Sequence, residues 1–151
     1  MMIVFQEKKF CELDLLELHD IYALRAEVFV VEQNCVYQDI DGKDKKAHHI
    51  LGKINGELVA YARLLEKGIS YPSHVSIGRI VIAKRKRRKS LGKELVRFCL
   101  LCLAEQYPQH PIKISAQSHL EDFYNQHGFS KTGSSYLEDG ISHIAMIKAA
   151  P

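Results

Sequence analysis

The sequence predicts a mixed α/β (α+β) domain built on a mostly antiparallel sheet. Asn55-Gly56 and Glu138-Asp139-Gly140 are tight-turn sequences, each flanked by strand-like runs, so the chain must reverse direction at both places. Residues 91 to 107 repeat apolar side chains at helical spacing and stop at Pro108 and Pro111. The elements follow the order strand, two helices, three strands, helix, strand, helix, two strands, which gives about seven strands and about four helices.

Taken in order, MIVFQ (2–6) reads as an opening strand. From Leu13 onward Leu16, Ile21, Leu24, Val28 and Phe29 recur at intervals of three to five residues, as in one long or two short helices ending near Glu32. A polar loop follows, with QDIDGKDKK at 38–46 rich in turn formers. HHILGKI and ELVAYARLLE are paired by the type I′ turn at Asn55-Gly56. After Tyr71-Pro72, VSIGRIVI (75–82) is a strand whose last three residues are apolar without alternation, the mark of burial on both faces. A helix spans about Leu91 to Tyr107. IKISAQ is a further strand, LEDFYNQH is a helix closed by Gly128 at its C′ position, and 130–137 and 141–148 form the last hairpin.

Composition bounds the function. With 151 residues, 46% hydrophobic and 26% charged, the chain suits one domain spanning 1–151. No uninterrupted apolar stretch approaches membrane-spanning length, and MMIVFQEKKF turns polar too early for a secretory signal, so a cytoplasmic protein is expected. Net charge is +3, yet without the six residues KRKRRK (84–89) the balance falls to 15 basic against 18 acidic. The positive charge is therefore local, which weighs against a general nucleic-acid binder, as does the absence of aromatic residues within the run. The four cysteines are expected reduced, and Cys99-x-x-Cys102 sits mid-helix among apolar residues, where core packing is favoured over redox or zinc chemistry.

The basic run stands between a buried strand and a helix start. Free backbone N–H groups and the positive end of the helix dipole at Ser90 to Gly92 make a site for phosphate oxygens. Gly92 permits close approach, and Arg85, Arg87, Arg88 and Lys89 can add charge-assisted bonds. A Walker A loop does not fit, because Gly92-Lys93 is followed by Glu94 and position 87 is not glycine. Arg87-Arg88-Lys89-Ser90-Leu91-Gly92 resembles motif A, Q/R-x-x-G-x-G/A, of the Gcn5-related N-acetyltransferases (GNAT). Ser90 replaces the first glycine and is expected to keep a negative φ. Residues 117 to 129 resemble the family's later helix motif, N-x-x-A-x-x-F/L-Y-x-x-x-G-F: Phe123, Tyr124, Gly128 and Phe129 match, while Gln117 and Leu120 depart. FVVEQNCVYQDIDG, HHILG, ELVAYARLL, IGRIVI, AQSHLEDFY and DGISHIAM look like the ElaA-type branch of that superfamily.

The resemblance implies a GNAT fold and direct transfer of acetyl from acetyl-CoA to a primary amine in a ternary complex, without a metal or a cysteine nucleophile. It implies that Ile80, Val81 and Ile82 face the pantetheine arm on a strand splayed from its neighbour, and that Arg87, Arg88, Ser90, Leu91, Gly92 and Lys93 hold the pyrophosphate. Gln117 would join the cofactor site, and Tyr124 would protonate the departing thiolate. VSIGRIVI lacks the carboxylate that many relatives use as base. Glu32, at the end of an apolar run where burial is expected to raise its pKa, is the first candidate, against a plain solvated helix end. His48, His49, His119 and His143 are alternatives. Asp39 and Asp41 either attract a cationic amine or serve as turn residues, and Arg63 and Arg79, inside apolar strands, call for a carboxylate partner. The acceptor stays open among small-molecule, polyamine, antibiotic and peptide amines, dimerisation through sheet edges follows by family analogy, and a non-catalytic acyl-CoA sensor of the same fold is the rival reading.

Overall fold

Two sheets joined, among the described residues, by one isolated bridge set the architecture of the computed structural model, which describes residues 2–151. Strands β1 (Val4–Lys9), β2 (His48–Ile54), β3 (Glu57–Leu65) and β4 (Ser76–Ile82) form an antiparallel sheet in that order. Strands β5 (Ile112–Gln117), β6 (Ser130–Glu138) and β7 (Ile141–Lys148) form another, also antiparallel, with β7 in the middle. The two meet where Val75 N–H donates to Pro111 O (3.1 Å) and Lys113 N–H donates to Val75 O (2.9 Å), a lone parallel bridge between Val75 and Ile112. Beyond it β4 and β5 part. The mixed α/β architecture and mostly antiparallel pairing expected from the turns are both present.

Helix α1 (Leu15–Arg25) starts at a capping box: Glu17 N–H donates to Asp14 Oδ1 (2.8 Å) and Asp14 N–H donates to Glu17 Oε1 (3.1 Å). It runs on as a π-helical segment, Ala26–Glu32, in which bonds reach back five residues, as from Gln33 N–H to Val28 O and Cys35 N–H to Val30 O. Helix α2 (Leu91–Gln106) buries Leu95, Val96, Cys99, Cys102 and Leu103 against Ile50, Ala62, Ile114 and Met146. Ile21, Leu24 and Val28 pack on the other face of the first sheet, over Leu51, Val59, Tyr61 and Val81. β3 and β4 thus have α1 and α2 packed against them from opposite faces, which is why these strands are apolar without strict alternation.

Three boundaries differ from expectation. β1 begins at Val4 and continues through the charged Glu7, Lys8 and Lys9, because its register with β2, from Val4 opposite Lys53 to Lys9 opposite His48, outlasts its apolar residues. Helix α3 covers only Glu121–Asn125, after a 3-10 turn at Ser118–Leu120. The expected fourth helix is the π-helical extension of α1 rather than a separate rod. Gly128 does occupy the C′ position, at φ 91°. Phe129 N–H reaches Tyr124 O (3.2 Å) and Gly128 N–H reaches Asn125 O (3.0 Å), the paired bonds of a Schellman ending.

Candidate active site

The parting of β4 and β5 opens a cleft of about 720 Å³. One wall is β4, which carries a bulge: Arg63 lies opposite Gly78 and Tyr61 opposite Val81, so β4 spends three steps where β3 spends two. Arg79 in the bulge has φ 51°, a left-handed conformation costing a non-glycine residue about 1 kcal/mol or more. Its guanidinium is anchored, with Nε 2.8 Å from Asp39 Oδ1 and Nη2 donating to Asp39 O (2.9 Å). The strand emerges from the bulge with Ile80, Val81 and Ile82 lining the cleft and with no partner strand on that side.

At the end of that wall lies the α2 N-terminus. Glu94 N–H is the first amide bonded within the helix, to Ser90 O (3.1 Å), so those of Leu91, Gly92 and Lys93 have no partner inside it. Ser90 does not keep a negative φ; it sits at 61°, and Arg88 at 66°. A left-handed residue leading into a right-handed helical one converges successive N–H groups into an anion-binding nest, so the departure from glycine keeps the tight turn at the cost of strain. Gly92 lines the cleft, where a Cβ would lie 3.7 Å from Phe123 Cζ, an ordinary contact. Nothing in the fold demands glycine here; the open space serves whatever approaches the amides. Arg88, Lys89 and Lys93 are exposed around the nest and Leu91 is buried beneath it.

The deep end holds Tyr124. Its ring meets Phe123 and Phe129 edge-on at 5.1 and 6.1 Å, and the Schellman ending fixes the backbone beneath it. Burial, with Cys99 nearby, pushes its hydroxyl pKa well above the ordinary tyrosine value. The phenol is therefore a neutral O–H donor at physiological pH, at 6% exposure, lining the cleft. Gln117 lines it too, at the end of β5, with Nε2 donating to Gln33 Oε1 (3.4 Å).

The model of the acetyltransferase (GNAT) domain matches residues 16–150. The chain belongs to the GNAT acetyltransferase family. ElaA of Escherichia coli is 42% identical over 149 residues, covering 97% of both chains. The crystal structure of that protein superposes with a TM-score of 0.91, at 41% identity over 97% of this chain and 99% of that one. An acyl-CoA N-acyltransferase from Pseudomonas aeruginosa superposes with a TM-score of 0.92, at 38% identity over 98% of this chain and 100% of that one. Family and fold place this GNAT member among the acyltransferases.

Several expected groups are engaged elsewhere. Glu32 lines the cleft, but Arg87 Nη2 donates to its Oε1 (3.0 Å), and this bond holds its carboxyl below the usual range despite some burial. The expected upward shift is thus reversed, because the partner was supplied by a loop 55 residues away. Arg87 is correspondingly drawn from the nest toward Glu32 and toward Ile82 O, which its Nε reaches at 3.1 Å. Asp39 and Asp41 are not among the residues lining the cleft. They belong to a buried lattice in which Arg25 bonds Asp39 and Asp44 (2.9 and 2.8 Å) and Arg63 bonds Asp41 and Asp44 (2.7 and 2.9 Å). That lattice answers the demand of Arg63 and Arg79 for internal carboxylates and pins the 38–46 loop beside the bulge.

Of the four histidines, His48 pairs with Glu7 (3.0 Å) outside the cleft. His49 is fully buried between Tyr61 Oη (2.7 Å) and Asp44 O (2.8 Å), and burial lowers its pKa. Only His119 and His143 line the cleft. Cys99 and Cys102 are packed in the core, where burial pushes the Cys102 thiol up to about 11 and Cys99 higher. The sequence reading missed Cys35, Tyr37, Glu138 and Asp139, all on the cleft wall. Cys35 and Tyr37 lie on the loop that follows the π-helical segment, and Glu138 and Asp139 lie at the β6–β7 hairpin end, where the register of β6 with β7 sets their position. Among the described residues there is no group of three or more His, Cys, Asp or Glu arranged to hold a metal, and no helix is long and apolar enough to cross a membrane.

Proposed function

We propose that residues 1–151 act as one cytoplasmic N-acetyltransferase domain, moving acetyl from acetyl-CoA to a primary amine in a ternary complex. The observation that carries this reading is the cleft itself: an amide nest at one end, an unpaired bulged strand along the side, and a neutral buried phenol at depth. Bound acetyl-CoA supplies an activated acyl group. The amides of 91–93, with Arg88, Lys89 and Lys93 around them, bind its pyrophosphate. The backbone of Ile80 to Ile82 orients the pantetheine arm, with an N–H available to the thioester oxygen. The Tyr124 hydroxyl, held neutral by its burial, gives its proton to the departing thiolate. The buried Cys35 thiol donates to Asp139 O (3.2 Å) and is given no nucleophilic role.

The test joins binding to turnover. Calorimetry should show one-to-one coenzyme A binding, and thiol release with an amine panel should fall about 10²- to 10⁴-fold in Tyr124→Phe. Turnover within a factor of about two of the parent would exclude that role for the phenol, and no binding at millimolar coenzyme A would sink the whole reading.

A further inference from the structure

One imidazole in the cleft is built differently from the rest. His143 stands on the central strand β7, directly opposite Gln117 of β5 and Tyr136 of β6, so the three side chains share one face of the sheet. It is 8% exposed, and it lines the cleft. Its Nδ1 is 2.7 Å from Ile141 O. A carbonyl oxygen only accepts, so Nδ1 carries the hydrogen, and in the neutral ring the lone pair resides on Nε2. Nε2 makes no hydrogen bond: the nearest acid oxygen, Glu138 Oε2, is at 3.6 Å, beyond hydrogen-bond reach but within Coulombic reach. Tyr136 stacks on the ring at 6.3 Å and 22°. Ser115 Oγ donates to Glu138 Oε1 (3.1 Å), which turns Oε2 toward the imidazole. The other titratable groups along this wall are Cys35, Tyr37, Glu32, Asp139 and the exposed His119, with Arg79 held by its carboxylates.

We infer that His143 is the general base of the transfer, and that the acceptor is a cationic primary ammonium drawn to it by Glu138; this rests on the acetyltransfer reading above. An ammonium N–H proton passes to the lone pair on His143 Nε2, and Glu138 offsets the imidazolium charge. The freed amine pair forms the C–N bond. The C–S bond breaks, its electron pair goes to sulfur, and the Tyr124 proton follows it. The second amine proton restores the phenol. The imidazolium then gives its proton to water, so each turnover yields one amide, one thiol and one released proton. This removes the need for a carboxylate on β4, whose place as base is taken from across the cleft.

The experiment compares the parent with His143→Gln and Glu138→Gln, using thiol release with spermidine, lysine amide, tyramine and aniline, the last uncharged near neutral pH. His143→Gln should bind coenzyme A within about threefold of the parent while losing about 10²- to 10³-fold in kcat/KM for the three ammonium substrates, and less for aniline. Glu138→Gln should raise KM for spermidine about fivefold and weaken its salt dependence. Should the parent turn over while His143→Gln keeps more than about half its kcat/KM, the base assignment alone is overturned. An unchanged spermidine KM in Glu138→Gln overturns the cationic acceptor. If the parent binds coenzyme A yet releases no thiol with any amine, acetyltransfer and base are overturned together. Nitrogen-15 correlation spectra of the parent make the base testable even if His143→Gln fails to fold: they should show the neutral ring protonated on Nδ1, and the opposite tautomer overturns the inference.

Discussion

Gly92 is a residue whose missing side chain matters to a ligand rather than to the fold. Its Cβ position is free of protein clashes, and it occupies the first turn of α2, where alanine is the better helix former by about 0.5–1 kcal/mol. Gly92→Ala is therefore expected to leave the melting temperature equal to or slightly above the parent's, while weakening coenzyme A about tenfold or more; thermal unfolding and calorimetry together check it. A drop in both would mean that the glycine serves packing after all. Ser90 teaches the opposite lesson. Its left-handed φ was not readable from a serine codified as an ordinary residue, because the conformation is imposed by the loop ends, the β4 terminus and α2, and only secondarily by the side chain.

At the scale of elements, the bulge in β4 and the buried ion-pair lattice act as one unit. Asp44 is 1% exposed and is shared by Arg25 and Arg63. Asp44→Asn leaves two buried guanidinium groups short of a charge, which is expected to cost about 3–5 kcal/mol, read from urea unfolding. A loss below about 1 kcal/mol would show that the lattice relaxes around the change. The α1 capping box allows a pH test. Burial alone would raise the Glu17 pKa, but bonds from Lys8, the Asp14 amide and Lys53 outweigh it and hold the carboxyl at about 2. A depressed folded pKa contributes stability above the unfolded value, near 4.5, and loses it as pH falls toward 2. Parent and Glu17→Gln should thus differ by about 3 kcal/mol at neutral pH and converge between pH 4.5 and 2, as followed by denaturant midpoints. A gap that persists at the acid end would place the effect in packing.

For the molecule as a whole, the cleft exists because the seven strands do not close into one sheet. A ligand that seats itself between β4 and β5 ties the two sheets together and should stabilise the folded chain by mass action. At one hundred times its dissociation constant, coenzyme A is expected to add about 2.7 kcal/mol, or roughly 5–10 °C in melting temperature for a chain of this size. Desulfo-coenzyme A should do nearly the same, whereas pantetheine without the diphosphate should not, if the nest is the main anchor. Equal shifts from both would move the anchor to the strand.

The amino-acid sequence determined the elements, their order and the strand-loop-helix turn carrying Ser90 and Gly92, because turn dipeptides, apolar periodicity and helix-start chemistry act over a few neighbouring residues. It also brought Tyr124 and Gly128 into one local motif. Tertiary structure alone decided which charges are free. Glu32 found Arg87 across 55 positions, Asp39 and Asp41 were absorbed by Arg25, Arg63 and Arg79, and His143 reached the cleft beside Glu138 through the register of β6 and β7. Coulomb pairing and burial depend on separation in space rather than along the chain, so a carboxylate's availability is settled only when the sheets are assembled.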